Sequence, residues 1–408
     1  MNILYLCHRF PFPPKRGGKI RPFNMIRHLS DAGHQVTVCS LARSAHEAEE
    51  GAGIAAHCAG FEIGLVKEPV QWARMVARLP LPVPSSMGYF YSPELARKVR
   101  SLLASKRWDL IFVHCSSVAQ YVAHVTDVPK ILDFGDMDSQ KWQEYADIKP
   151  FPLSLGYRLE GLKMLAAEKR LARRFDLCTT TTRAEWQTLE DYGTGAATGW
   201  FPNGVDASYF SPGDEPHEPE TISFIGRMDY YPNIECMRRF TAQVWPLLRR
   251  CRPSLKLLIV GADPRPEVLA LGDLPGVTVT GSVPDVRPFV RRSVLNVAPL
   301  AIARGTQNKI LEAMAMGVPV VTTRLAAGGV DAEEGKHLLV ADTPSEAAEA
   351  ILRLVDNPGE RARLALAGRE RMLSHHAWPQ SMQRLDAFIA NCRSQFGRQL
   401  TTPLEKTA

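Results

Sequence analysis

Nothing in this sequence of 408 residues approaches the ~18 uninterrupted apolar residues that a membrane-spanning helix needs. The opening run MNILYLCHRFPF meets prolines and basic residues too soon for the apolar core of a secretion signal, so the expected location is cytoplasmic. The eight cysteines, Cys7, Cys39, Cys58, Cys115, Cys178, Cys236, Cys251 and Cys392, form no CxxC pair and no Cys/His cluster at zinc spacing. They read as reduced residues, several of them inside apolar strand-like runs, rather than as a disulfide framework. No GxGxxG joins a strand to a helix, which counts against a nicotinamide or flavin cofactor. The net charge of +6 is spread over many helices, with no aromatic-interleaved basic platform, so nucleic acid is not an expected partner. A phosphorylated ligand or an anionic lipid surface accounts for the same balance.

What is present is the alternation of short apolar runs with helical stretches. The chain exceeds what one hydrophobic core usually organises, so two domains are expected. Asn2 to Cys7 reads as a strand, Lys19 to Ala32 as an amphipathic helix closed by Gly33, and QVTVCSL as the next strand. FEIGLV, DLIFVH, KILDF and DLCTTTT continue the series, which implies a parallel sheet with helices on both faces over residues 1–200. Residues 201–220, rich in Pro, Gly, Asp and Glu, read as a linker. The pattern restarts over 221–377 with ISFIG, LKLLIVG, GVTVTG, LNVAPL and PVVTT. The fold class is therefore α/β, with two Rossmann-like domains facing each other across a cleft that would hold the ligand. A last helix over about 378–397, with Trp378, Met382, Leu385 and Ile389 in helical register, is expected to pack back on the first domain. Residues 398–408 read as a disordered tail.

The most informative run is PLAIARGTQNKILEAMAMGVPVVTT, residues 299–323: strand end, glycine-containing loop, helix and next strand. A helix starting near Gln307 aims unpaired N–H groups and its positive dipole end at the loop, which suits a diphosphate. Arg304, Gly305, Thr306, Gln307 and Asn308 supply that loop, and Lys309 adds a point charge. Glu312, three residues on, shares the Lys309 face and can accept both hydroxyls of a ribose; a surface Lys/Glu pair is the plain alternative. In ISFIGRMDYYPN, Gly226 permits close approach of backbone to a ligand, with Asn233 nearby, and Arg227 leaves the strand end as a fork donor for phosphate. Its alternative is a surface pair with Asp229. Gly17 and Gly18 in PPKRGG would allow a main-chain approach to phosphate or sugar at the first strand-to-helix turn.

Taken together, PPKRGG with its helix ending in GHQVTV, then FPNGVDASYF, FIGRMD and NKILEAMAMGVPVVTT, resemble the family 4 retaining glycosyltransferases of the GT-B fold across nearly the whole chain. The resemblance implies transfer of a sugar from a nucleotide-sugar donor with retention, with no metal or other cofactor. The family's Glu-x7-Glu pair is matched at its second member by Glu312, while the first falls on Arg304. The lysine usual after the Gly-Arg of the earlier strand has no match, and Lys309 stands as its replacement. DFGDMDSQKW, RGTQNKILEAMAMG and MDYYPN further resemble the sugar transferases of exopolysaccharide clusters that accompany the exosortase/PEP-CTERM system. That implies a saccharide or lipid-linked saccharide acceptor. His114 is similar in position to a family histidine near the donor sugar, a buried core imidazole being its alternative. Asp136 and Asp138 form an Asp-x-Asp which here follows a first-domain strand, so an acceptor contact or a helix cap is expected rather than a metal. A two-domain epimerase or phosphorylase, or a silent nucleotide-sugar-binding protein, remain the competing classes.

One further stretch, Glu68 to Ser92, sets Trp72, Met75, Val76 and Leu79 at helical spacing, with Arg74 and Arg78 on a flanking face. It reads either as a stripe packed on the domain core or as a peripheral contact with an anionic membrane at its inner face.

Overall fold

The computed structural model describes residues 1–14, 17–214 and 216–401, and the chain divides into two compact units. The first comprises Met1–Pro202 together with the chain from Met382 onward, and the second Asn203–Ser381.

The first unit is built on seven parallel strands: β1 (Asn2–Cys7), β2 (Gln35–Ala42), β3 (Gly60–Leu65), β4 (Leu110–His114), β5 (Lys130–Gly135), β6 (Leu177–Thr180) and β7 (Thr198–Trp200). Their order is β3-β2-β1-β4-β5-β6-β7, so the winding reverses between β1 and β4. β1, β4, β5 and β6 are almost wholly buried because helices cover both faces, which is why β1 and β4 read as near-continuous apolar runs instead of alternating ones, while β5 and β6 carry the buried polar residues Asp133, Thr179 and Thr180. The helices that matter below are α1 (Gly17–Asp31), α2 (Glu68–Ala77), α3 (Asp138–Ile148) and α4 (Leu153–Ala172).

The second unit repeats the scheme with six parallel strands: β8 (Glu218–Ile225), β9 (Lys256–Val260), β10 (Val277–Gly281), β11 (Ser293–Ala298), β12 (Val320–Thr322) and β13 (Leu339–Val340). Their order, β10-β9-β8-β11-β12-β13, reverses between β8 and β11. Here α5 (Tyr231–Arg239) follows β8 and α6 (Asn308–Ala315) follows β11. Both units are thus Rossmann-like, and in such open sheets ligands bind beyond the carboxyl ends of the strands at the reversal. The last helix, α7 (Trp378–Thr401), buries Met382, Leu385, Ile389 and Cys392. Its Phe388 ring lies 6.2 Å from that of Phe201 within the first unit. The helix is described through Thr401, past the point where the tail was expected to begin; residues 402–408 lie outside the described residues.

Two expectations change. Within residues 201–220, read as a linker, β8 already begins at Glu218, and the chain is held on the second unit at several points before it. Val205 bridges to Ala377, Arg287 and Arg291 donate to the carbonyls of Tyr209 and Ser211, and the Arg287 guanidinium stacks on the Tyr209 ring. Composition alone does not show these anchors because the donors lie some 80 residues away. The stripe on α2 does not pack on the core. Its buried residue is Gln71, whose amide donates to the carbonyls of Tyr89 and Tyr91, while Trp72, Val76 and Leu79 face solvent. Arg74 and Arg78 are not a free basic flank either: Arg74 donates to Gln71 and to the Tyr91 carbonyl, and both are partly buried.

Candidate functional site

In the second unit the residues at the β8/β11 reversal converge. Gly226 follows β8, and a Cβ there would come within 2.7 Å of the Asn233 amide nitrogen and 3.2 Å of Lys309 Nζ. The absence of a side chain is therefore what lets Asn233 on α5 and Lys309 on α6 meet across the strand end. Lys309 Nζ donates to Asn233 Oδ1, Asn233 Nδ2 donates to the Arg227 carbonyl at 2.7 Å, and Nζ sits 4.4 Å above the Phe224 ring. Sequence placed these residues on separate motifs; the structure makes them one cluster.

The loop from Arg304 to Asn308 closes the same end. Gly305 holds φ 62°, a left-handed conformation that a β-carbon would strain, and its carbonyl packs under Gly329. Gln307 is the N-cap of α6 but makes no side-chain capping bond; its amide instead donates to the Arg304 carbonyl at 3.0 Å. Thr306 Oγ1 and Asn308 Oδ1 are buried with no hydrogen-bond partner. Buried polar atoms are rarely left unmatched, so this strand end, with an uncapped helix N-terminus beside it, has hydrogen-bonding capacity that the surrounding side chains do not use.

Electrostatics sharpen the picture. Burial lowers the Lys309 ammonium to about 8, against a smaller pull from Cys236 and Glu312. Burial likewise pushes the Glu312 carboxyl up to about 7, opposed by Lys309. Both keep some solvent-facing surface. Two groups poised near neutrality in one cluster is the pattern of a functional site. Arg227 is committed to carboxylates: Nε and Nη2 bond Asp229 at 3.0 and 2.7 Å, and Nη2 also bonds Asp263. The surface pair with Asp229 is therefore what the structure shows, and a second carboxylate joins it. Asp263, in a left-handed conformation at φ 56° after β9, carries no signal in sequence because the strand pairing alone brings it to Arg227.

The first unit places a second constellation at the β1/β4 reversal. His114 ends β4 and its Nδ1 lies 2.8 Å from Asp133 Oδ2. Asp133, fully buried in β5, also accepts two bonds from Arg21 at 2.9 Å and one from Thr179. Burial opposes ionisation of Asp133, but the Arg21 charge and the bonds from His114 and Arg21 outweigh it and hold the carboxyl well below its usual range. An ionised acceptor assigns the proton to Nδ1, which leaves His114 Nε2 as the ring's remaining polar atom. The buried imidazole reading of His114 holds as to location, since it is 6 % exposed. Next to it Cys115 adopts φ 85°, a strained value for a non-glycine residue. The His8 ring is 6.0 Å away, with Nδ1 buried and unpartnered. Neither His8 nor the Arg21–Asp133 pair was singled out in sequence, although an aspartate inside the apolar run KILDF was the available sign.

Of the two roles expected for the Asp-x-Asp, the helix cap is not what the structure shows. The N-cap of α3 is Met137, so neither aspartate caps the helix. Asp138, in the first turn, accepts from Ser116 at 3.0 Å, and Asp136 accepts from Thr181 at 3.2 Å. Burial raises the Asp138 carboxyl. Among the described residues no group of three or more His, Cys, Asp or Glu is placed to hold a metal ion. Gly17 and Gly18 open α1, and a Cβ on Gly18 would meet only ordinary contact with the Arg9 side chain at 3.6 Å. Lys15 and Arg16 of PPKRGG lie outside the described residues.

Comparison with known proteins follows the same division. Residues 16–204 match a family model described as glycosyl transferase 4-like domain, and residues 219–357 match one described as glycosyl transferases group 1. Over 211 residues the chain is 25% identical to the GDP-mannose-dependent monoacylated alpha-(1-6)-phosphatidylinositol monomannoside mannosyltransferase of Corynebacterium glutamicum. That match takes in 45% of this chain and 54% of the relative, so the chain matches about half the length of this curated protein. Among solved structures, Anabaena HepE in complex with UDP gives a TM-score of 0.70 at 16% identity, covering 96% of this chain and 100% of that one. Sucrose-phosphate synthase from Thermosynechococcus elongatus gives 0.67 at 17%, covering 98% and 99%. At such identities the likeness shows the fold, which is the GT-B type.

Proposed function

Since the chain belongs to the group 1 and 4-like glycosyl transferases, whose two models together span most of it, we propose that it transfers a sugar from a nucleotide-sugar donor to a saccharide or lipid-linked saccharide acceptor. The observation that carries this reading is the cluster at the β8/β11 reversal, with the uncapped α6 N-terminus and the unpartnered Thr306 and Asn308 oxygens beside Lys309. The helix N-terminus and Lys309 meet the charge that grows on the leaving diphosphate. Glu312, one turn further along α6, accepts the ribose hydroxyls. Arg227 already shares its charge with Asp229 and Asp263 through Nε and Nη2, which ranks it below Lys309 in this role. Arg304 stands where the family resemblance calls for a carboxylate.

In the first unit, His114 Nε2, held by the Asp133–Arg21 pair, and the His8 ring face the same strand ends and serve the transferred sugar or the acceptor, with Asp136 and Asp138 flanking. Retention rests on the family resemblance, as does a role in bacterial exopolysaccharide assembly. The reading calls for no metal or cofactor. The Anabaena structure carries UDP and the Corynebacterium relative is named for GDP-mannose, so UDP- and GDP-sugars are the first donors to try.

The test is titration calorimetry with UDP-, GDP-, ADP- and TDP-sugars, followed by a turnover assay with and without saccharide acceptors. One donor should bind and be consumed only when an acceptor is present. Consumption of the donor alone, with an isomeric nucleotide sugar as product, would assign an epimerase instead.

A further inference from the structure

We infer that the first unit carries a composite apolar and basic face, formed by α2 and the first half of α4, that docks on an anionic lipid bilayer. The inference deepens the lipid-linked acceptor reading above, since it brings the enzyme to the surface where such an acceptor resides. It is measured without reference to turnover.

The observation is where the apolar surface lies. Most of the large hydrophobic side chains exposed among the described residues fall in two short segments, residues 65–81 and 148–162. Phe151 is 81% exposed and Leu155 62%, values found for side chains that touch little else. On α4, Leu155, Leu159 and Leu162 are spaced i, i+4 and i+7 and so form one stripe on the solvent side of the helix. Opposite them Met164, Ala167 and Leu171 are buried, so α4 has a core face and does not need this second one for folding. Clustered exposed apolar surface on this scale marks an interaction site more often than an accident of packing.

The two segments are joined. Lys163 on α4 donates from Nζ to the Leu79 carbonyl just past α2 at 2.6 Å. Glu160 accepts from the backbone N–H groups of Ser85 and Ser86 at 3.0 and 2.8 Å. The stripe of α4 and the Trp72, Val76 and Leu79 side chains are thereby held in one unit of fixed geometry.

Charge chooses the occupant. From Ile148 to Leu159 the chain contains Lys149 and Arg158 and no acidic residue, and Glu160 is buried and spent on backbone donors. Two exposed acids border the face: Asp147, which pairs with Arg158 at 3.4 Å on the surface, and Glu68 in the first turn of α2. A two-fold contact between copies would set the same basic patch, with Lys149, Arg158 and Lys163, on both sides of one interface, which like charge disfavours. Anionic headgroups complement those residues while the apolar side chains enter the acyl boundary.

The experiment is flotation of the full chain with phosphatidylcholine vesicles, with and without phosphatidylglycerol, at low and high salt. The wild type should float with the anionic vesicles and be partly released by salt. The triple substitution Phe151→Ser, Leu155→Ser and Leu159→Ser should partition on the order of tenfold or more weakly. Trp72→Ser with Val76→Ser should weaken it as well. All these sites are exposed, so thermal melting and donor affinity should match the wild type. A wild type that stays with the protein fraction at low salt overturns the inference, and so does an α4 variant that floats equally well. A dimer in solution that the α4 substitutions dissolve, without flotation, assigns the face to a second copy and also overturns it. Flotation by a protein that binds no nucleotide sugar would sink the transferase reading and leave this one standing.

Discussion

Replacing Glu312 by Gln should move stability and donor binding in opposite directions at pH 8. The wild-type carboxyl is raised by burial from 4.5 to about 7, so at pH 8 it is ionised in an environment that disfavours its charge. The sign follows from linkage: a raised folded-state value means stability is present at low pH and is lost as pH climbs through about 7. At roughly 1.36 kcal/mol per unit that shift has a ceiling of about 3 kcal/mol. The partial exposure of the side chain screens it, and loss of the attraction to Lys309 takes back a further part. A gain on the order of 1 kcal/mol for Glu312→Gln at pH 8 is the expected net. The gain should shrink toward pH 5, where the wild-type carboxyl is already protonated in the folded state. Donor binding should move the other way, weakening by about 1 to 3 kcal/mol because the amide is a poorer acceptor for ribose hydroxyls. Scanning calorimetry at pH 5 and pH 8, with titration of the preferred nucleotide sugar at pH 8, measures both. A variant that is less stable at pH 8 and binds donor as well as the wild type refutes the placement of Glu312 in the site.

Other consequences are equally direct. Donor affinity of the wild type should fall as pH rises through about 8, where Lys309 loses its proton, and Lys309→Met should bind weakly with that limb of the profile gone. Gly226→Ala, which forces a Cβ to 2.7 Å from the Asn233 amide, should weaken donor binding roughly tenfold or more while shifting the melting temperature little; unchanged affinity would mean the Asn233–Lys309 contact is dispensable. Asp133→Asn removes the charge that pairs with buried Arg21 and should destabilise the fold by about 3 to 5 kcal/mol in urea unfolding. Arg227→Ala should lower turnover less than Lys309→Ala, and the double variant should be non-additive if both meet one diphosphate; a larger effect at Arg227 would make it, and not Lys309, the main partner of that diphosphate.

Much of the architecture was legible because parallel strands buried on both faces must be continuous apolar runs, and helices must repeat near 3.6 residues. FIG at the end of β8, LDF in β5 and NKILEAMAMG on α6 each carried that local signal, and the loop before α6 showed the glycine and the helix start on which the anion-site reading rests. The short strands β7 and β13 escaped notice, since three and two residues are too few to show any period. The α4 stripe escaped as well, because its leucines look the same in sequence whether they face a core or water.

What the sequence by itself determined was the set of elements and the chemistry available at their ends, because propensity, periodicity and turn residues act over a few positions. Tertiary structure alone decided which ends meet. The reversal of strand order between β8 and β11 brings Asn233 to Lys309 across Gly226, and that between β1 and β4 brings His8 to His114. It also decided the electrostatics: Arg227 faces Asp263 from 36 residues away, and Asp133 stays ionised through Arg21, which is 112 residues distant. Burial, which moves Glu312 and Lys309 toward neutrality, depends on atoms contributed by other elements, so no local pattern could contain it.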